Sequence, residues 1–136
     1  MASKDPMDVN IRYVKKEELP EMLRVMYKVF PNADIKVRGY DGIIVADNSN
    51  DFIGFIHYSE NEKAVFIKGI GVEPAYRGMG IGSLLLKKLL AIFEKKSKSI
   101  YLKVKMMNPA LSLYMRHGFF LSRFGNVHLV VKKQNN

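Results

Sequence analysis

Apolar and polar residues alternate at Val9, Ile11 and Tyr13, and then the period changes: Leu19, Met22, Leu23, Met26, Tyr27 and Phe30 recur three and four residues apart within 16–30. A period of two marks a half-buried strand and one near 3.6 an amphipathic helix, so the chain opens strand then helix. Pro31 and Asn32 stop that helix. Beyond a polar loop, 42–46 and 52–58 are β-rich runs separated by Asp47-Asn48-Ser49-Asn50-Asp51, short polar residues that favour turns, and the pattern predicts a hairpin. Residues 65–72 form a third antiparallel strand. The helix expected over 81–96 places Ile81, Leu84, Leu85, Leu89, Ile92 and Phe93 on one stripe, with Lys87, Lys88, Glu94, Lys95 and Lys96 largely off it.

Further on, 99–104 reads as a strand and 109–116 as a short helix ended by Gly118. The runs 119–124 and 127–131 read as a closing hairpin around Gly125-Asn126. The order β-α-β-β-β-α-β-α-β-β predicts an α/β (α+β) fold. Its sheet is mixed, because the strand–helix–strand step from 65 to 104 needs a parallel crossover.

The 136 residues, 48% of them hydrophobic, suit one domain over 9–132, with a flexible tail or leader at 1–8 and a tail at 133–136. No apolar run approaches 18 residues and the N-terminus lacks a signal-peptide pattern, so neither a membrane span nor secretion is expected. Zero cysteines exclude disulfides and thiolate metal sites and fit a cytoplasmic protein; the scattered His57, His117 and His128 suggest no metal. Net charge is +9, distributed unevenly: 10 Lys/Arg against 11 Asp/Glu through residue 68, then 12 against 2. A half carrying +10 points to a polyanionic partner, either nucleic acid or a multiply phosphorylated cofactor. Tyr101, Phe119, Phe120 and Phe124 alternate with core positions and are expected to be buried, which disfavours nucleic acid.

The chemistry concentrates where the third sheet strand ends. Gly69 and Gly71 face the same way and leave one side of that strand bare near its C-terminal end, and glycine within a strand marks a bulge or a close approach. Gly78, Gly80 and Gly82 then form a turn onto the N-terminus of a helix, where free N–H groups and the helix dipole favour an anion. A dinucleotide fingerprint needs Gly-x-Gly-x-x-Gly with a later acidic residue, and a P-loop needs Gly-Lys-Ser/Thr; neither fits these glycines.

Another pattern does fit. Arg77-Gly78-Met79-Gly80-Ile81-Gly82, after Val72-Glu73-Pro74, has the form Arg/Gln-x-x-Gly-x-Gly/Ala. Residues Asn108 to Phe119 carry Asn-x-x-Ala/Ser-x-x-x-Tyr-x-x-x-Gly-Phe in loose form. With both motifs the chain resembles the GNAT family of N-acetyltransferases, closely over 65–120 and by element order over 9–132. The resemblance implies the GNAT fold: a mixed, mostly antiparallel, twisted sheet of about seven strands flanked by helices, with a splayed parallel pair at its centre. It also implies acetyl-CoA as donor co-substrate, no metal, and an acceptor amine on a small molecule or a protein.

On that resemblance the pantetheine arm would lie between the strands 65–72 and 99–104, against the backbone of Ile70, Gly71 and Val72. The pyrophosphate would rest on the N–H groups of Arg77, Gly78, Met79, Gly80, Ile81 and Gly82, with the Ser83 hydroxyl and the Arg77 charge added. Lys87, Lys88 and Arg116 are further candidates for the adenosine 3′-phosphate. Tyr114 would act as general acid toward the departing sulfur, and Asn108 would orient the pantetheine amide or cap the helix after it. A backbone N–H near Val72 would meet the carbonyl oxyanion.

Many relatives place a glutamate on a splayed strand as base, where this chain has Lys68 and Lys103. Glu62 and His57, with Glu60 and Tyr58 beside them, are the possible bases acting through water. A basic-tail acceptor would need carboxylates from Glu17, Glu18, Glu21, Asp34 and Asp41; the alternative is a small amine, or an acceptor whose carboxylate or phosphate pairs with Lys68 or Lys103. The missing strand carboxylate leaves a second function open, a CoA-binding module of the same fold without turnover. Either a monomer or a homodimer is compatible with the sequence.

Overall fold

The computed structural model describes residues 8–39, 41–96, 98–105, 108–124 and 128–133, with 105, 121–124 and 128–133 described by backbone alone. Residues 1–7 of the proposed leader, the Gly125-Asn126 turn and the last three residues lie outside the described residues. Seven strands form one sheet: β1 (Asn10–Tyr13), β2 (Asp41–Asp47), β3 (Phe52–Glu60), β4 (Ala64–Val72), β5 (Ser99–Lys105), β6 (Phe120–Phe124) and β7 (His128–Lys133). Their spatial order is β1-β2-β3-β4-β5-β7-β6. All neighbours are antiparallel except β4 and β5, which are joined through α2 (Ile81–Phe93) and run parallel. α1 (Leu19–Val29) and α3 (Ala110–Arg116) complete the set. No helix among the described residues is long and apolar enough to cross a membrane.

Each face of the sheet carries its own core. On one, α1 buries Met22, Val25 and Met26 against Ile43, Val45 and Phe55. On the other, α2 buries Ile81, Leu85, Leu86, Leu89 and Phe93 against Ile44, Ile56, Val65 and Ile100, and α3 adds Tyr114. Each fully buried Leu, Ile or Phe contributes roughly 1.5–3 kcal/mol, so these two layers hold the strands in register.

Three details depart from the sequence reading. α1 starts at Leu19 rather than residue 16, because Lys16–Glu18 is a 3-10 turn and Pro20 begins the α-helix. Glu18 fixes that turn by taking two hydrogen bonds from the Arg12 guanidinium, at 2.8 and 2.9 Å, and one from the Lys15 backbone. α2 ends at Phe93, and its core stripe includes Leu86 while Leu84 is exposed. Phe120 is exposed too, contrary to its expected burial, because it is the first residue of β6 and its neighbour Phe119 takes the core position.

Candidate active site

β4 and β5 pair over only four residues each, Ala64–Ile67 with Ser99–Leu102. Beyond them β4 continues to Val72 hydrogen-bonded only to β3, while β5 continues to Lys105 paired only with β7. The facing edges of 68–72 and 103–105 therefore part, leaving backbone donors and acceptors open to an extended ligand. A cavity of about 950 Å³ occupies the gap. Met26, Phe55 and His57 reach it from the α1 face, and Ile67, Leu102, Val104 and Tyr114 from the α2 face, so it passes through the sheet.

The two strand glycines serve different purposes. A Cβ on Gly69 would meet nothing within 4 Å, so that position opens on the cavity. A Cβ on Gly71 would lie 2.8 Å from Val29, 2.9 Å from the Phe55 ring and 3.0 Å from Phe30. The expectation that both leave a bare side is thus corrected at Gly71, where the end of α1 packs onto the strand. Gly69 also sits at a bulge. His57 pairs with Gly69 and Tyr58 with Ile67, so Lys68 has no partner on β3.

At the exit of β4, the Arg77 Nε donates to the Val72 carbonyl at 3.0 Å and ties the glycine turn to the strand end. Gly78 and Gly80 both have φ of +81°, in the left-handed region that side chains disfavour, with open space where a Cβ would stand. Gly80 is the N-cap of α2 and no side chain caps the helix, so the first N–H groups have no side-chain partner. Ile81 is buried, Met79 packs against the core, and the Ser83 hydroxyl shares a 2.8 Å hydrogen bond with His117 Nε2. Of residues 77–83, Arg77 and Gly82 line the cavity. Lys87, Lys88 and Arg116 are exposed and do not line the cavity.

Tyr114 is buried beside Phe119, ring centroids 5.6 Å apart. Burial raises its pKa above the ordinary value, so the hydroxyl holds its proton throughout the neutral range. Asn108 lines the cavity while its Oδ1 accepts the Ala110 N–H at 2.9 Å, capping α3.

Of the four base candidates, His57 is the one that lines the cavity. Glu62 is exposed in the turn before β4, at the opposite end of that strand from Val72, about 30 Å of extended chain away. Glu60 pairs with Lys98 at 2.5 Å, and Tyr58 lies against Gly42 in the core. His57 is held by a residue the sequence did not single out for this purpose: its Nε2 is 2.7 Å from Asp41 Oδ2. The same oxygen accepts from the Arg38 backbone at 3.2 Å and from Lys68 Nζ at 3.3 Å.

Burial works to raise the Asp41 pKa, but the His57 ring, the Arg38 backbone and Lys68 together bring it below the ordinary value. Burial, with the Lys68 charge, also lowers His57, against the pull of Asp41. At neutral pH the pair is therefore carboxylate and neutral imidazole, with Nε2–H donating to Asp41 and the Nδ1 lone pair available as a proton acceptor. No group of three or more metal-ligating side chains occurs among the described residues.

The model of the acetyltransferase (GNAT) family matches residues 11–119. An N-alpha-acetyltransferase 50 of Danio rerio is 36% identical over 67 residues, 47% of this chain and 40% of the relative. An uncharacterized N-acetyltransferase of Methanocaldococcus jannaschii is 27% identical over 134 residues, 80% of this chain and 59% of the relative. The chain thus spans 40% and 59% of the length of these two curated relatives. Among solved structures, Arabidopsis thaliana Naa50 in complex with the bisubstrate analogue CoA-Ac-MVNAL superposes with a TM-score of 0.78 at 26% identity, covering 93% of this chain and 99% of that one. The PaiA N-acetyltransferase of Thermoplasma acidophilum in complex with coenzyme A gives 0.74 at 19%, covering 93% and 98%, a likeness of fold. A splayed parallel pair, a glycine turn on a helix N-terminus and a family match across most of the sheet lead to one assignment: this chain belongs to the GNAT family of acetyltransferases.

Proposed function

We propose that the chain is an acetyl-CoA-dependent N-acetyltransferase in which an acceptor amine attacks the thioester directly. One observation carries the reading: a single cavity joins the open edge of β4 to both Tyr114 and His57, and that edge leads straight into the uncapped N-terminus of α2. The residues present fit the donor. Open backbone at Ile70, Gly71 and Val72 suits a pantetheine amide, and the N–H groups from Arg77 to Gly82 suit a pyrophosphate.

Bound there, acetyl-CoA supplies the activated acetyl group; the protein supplies position and protons. His57 and Tyr114 approach the gap from opposite faces of the sheet. His57 Nδ1 takes a proton from the attacking amine, directly or through one water, while Asp41 holds the ring and stabilises the imidazolium that results. The carbon–sulfur bond breaks as the nitrogen–carbon bond forms, and the Tyr114 hydroxyl gives its proton to the leaving sulfur. A backbone N–H at the end of β4 receives the carbonyl oxygen, a contribution of about 10² to 10³ in rate.

Calorimetry with CoA, followed by thioester consumption over a panel of amines, tests the whole reading. Saturable binding with turnover is expected, and Gly80→Asp should abolish the binding by placing a carboxylate in the anion cradle. Binding without transfer to any amine would leave the alternative, a CoA-holding module; no binding at all would overturn both.

A further inference from the structure

We infer that the acceptor is a primary amine carrying a carboxylate or phosphate near its nitrogen on a compact apolar body, recognised by Lys103 and Lys68. This rests on the transferase reading above. The α1 side of the cavity, where an acceptor would enter, has an apolar wall of Met26, Phe30, Ile35 and Phe55. Its charged groups do not suit a second ammonium. The Asp41 side chain is fully buried; its Oδ2 accepts from His57, Arg38 and Lys68, and its Oδ1 has no partner among the described residues. Asp34 is 82% exposed at the rim, 3.6 Å from Lys36. Burial closes Asp41, which does not line the cavity, to an incoming side chain, and Asp34 offers only a solvent-exposed contact at the rim.

The cations are placed differently. Leu102 and Val104 point into the α2 core, so Lys103 between them projects on the α1 face, where it is exposed, lines the cavity and makes no ion pair among the described residues. Lys68, set on that face by the β4 bulge, keeps its side chain a third exposed while touching Asp41. An anion between the two lysines would gain charge-assisted hydrogen bonds. The same positive field opposes protonation of the acceptor's own nitrogen, favouring the neutral amine that must attack. In a site whose splayed strands carry lysines in place of a carboxylate, substrate charge and nucleophile activation are thereby served by one arrangement.

The test compares acceptors matched in amine and body. One arm sets Leu-Glu-Ala-amide against Leu-Gln-Ala-amide and Leu-Lys-Ala-amide; the other sets free leucine against leucinamide. The acidic member of at least one arm should be acetylated with kcat/KM about 10-fold above its neutral or basic counterpart, and the arm that shows it distinguishes a peptide from a free amino acid as the source. Lys103→Glu should abolish or invert that preference, and Lys103→Gln should reduce it, with CoA affinity retained as proof of folding. Raising the ionic strength should shrink the preference in wild type. Equal or faster acetylation of neutral and basic acceptors in both arms, or a preference that survives Lys103→Glu, would overturn the inference while leaving the transferase reading intact. CoA binding with no acetylation in either arm would overturn both.

Discussion

Tyr114→Phe separates chemistry from packing more cleanly than any other single substitution in this chain. The tyrosine ring is 97% buried against Phe119 and the α2 core, and phenylalanine keeps all of that contact. Its raised pKa has burial as the sole cause, with no hydrogen bond contributing. No hydrogen bond to the hydroxyl occurs among the described residues and the side chain lines the cavity, so its removal costs no such bond there. The variant should therefore melt within a few degrees of wild type, since about 1 kcal/mol corresponds to roughly 3–5 °C in a chain of this size.

Loss of a general acid, in contrast, should lower kcat by about 10² to 10⁴, equivalent to roughly 2.7–5.5 kcal/mol at the transition state. Three measurements on one preparation decide it: thermal melting, calorimetric CoA affinity, and kcat from thioester consumption at saturating acceptor. A fall in kcat below 5-fold, with melting unchanged, would remove Tyr114 from the chemical step. A fall in kcat matched by lost CoA affinity or a lower melting temperature would make its role structural.

The strand glycines give an internal control. Gly71→Ala should destabilise by roughly 1–3 kcal/mol, because its methyl would overlap Val29 and Phe55, whereas Gly69→Ala should be neutral in a denaturant melt. Comparable midpoints for the two would refute the packing assigned to α1. For His57 the sign follows from its lowered pKa: the folded state resists protonation, so stability is full above the ordinary value near 6.5 and declines as pH falls through it toward the folded pKa. The kcat/KM profile should show an acid limb below pH 6.5 that His57→Gln removes together with most of the activity; a limb that persists in that variant belongs to another group.

How legible the fold was depended on how local each signal is. α2 declared itself through Ile81, Leu85, Leu89 and Phe93 at four-residue spacing, and its start through glycines whose φ of +81° only they adopt comfortably. The hairpin of β2 and β3 was legible from its turn residues. The end of β4–β5 pairing at Ile67 and Leu102 leaves no mark in periodicity, and it was expected only through the family resemblance.

The candidate base is the sharper case. His57 was one candidate among four, and what distinguishes it is Asp41, 16 residues away and on the neighbouring strand. That contact follows from registers, Asp41 opposite Ser59 and Ile43 opposite His57, which no single-sequence pattern encodes. The bulge that swings Lys68 toward Asp41 had a signal in Gly69, a glycine inside a strand, although the same signal at Gly71 meant close packing instead.

Among the described residues four residue pairs stitch β1–β4 to β5–β7 along the sheet; past Ile67 and Leu102 the halves meet through the core under α2 and α3 on one face. An extended ligand laid into that opening would bond to both margins and act as an eighth strand, turning two plates hinged at one corner into a single stiff surface. Occupancy would then be felt well beyond the contacts themselves, since every residue from β1 to β6 would belong to one cooperative unit rather than two.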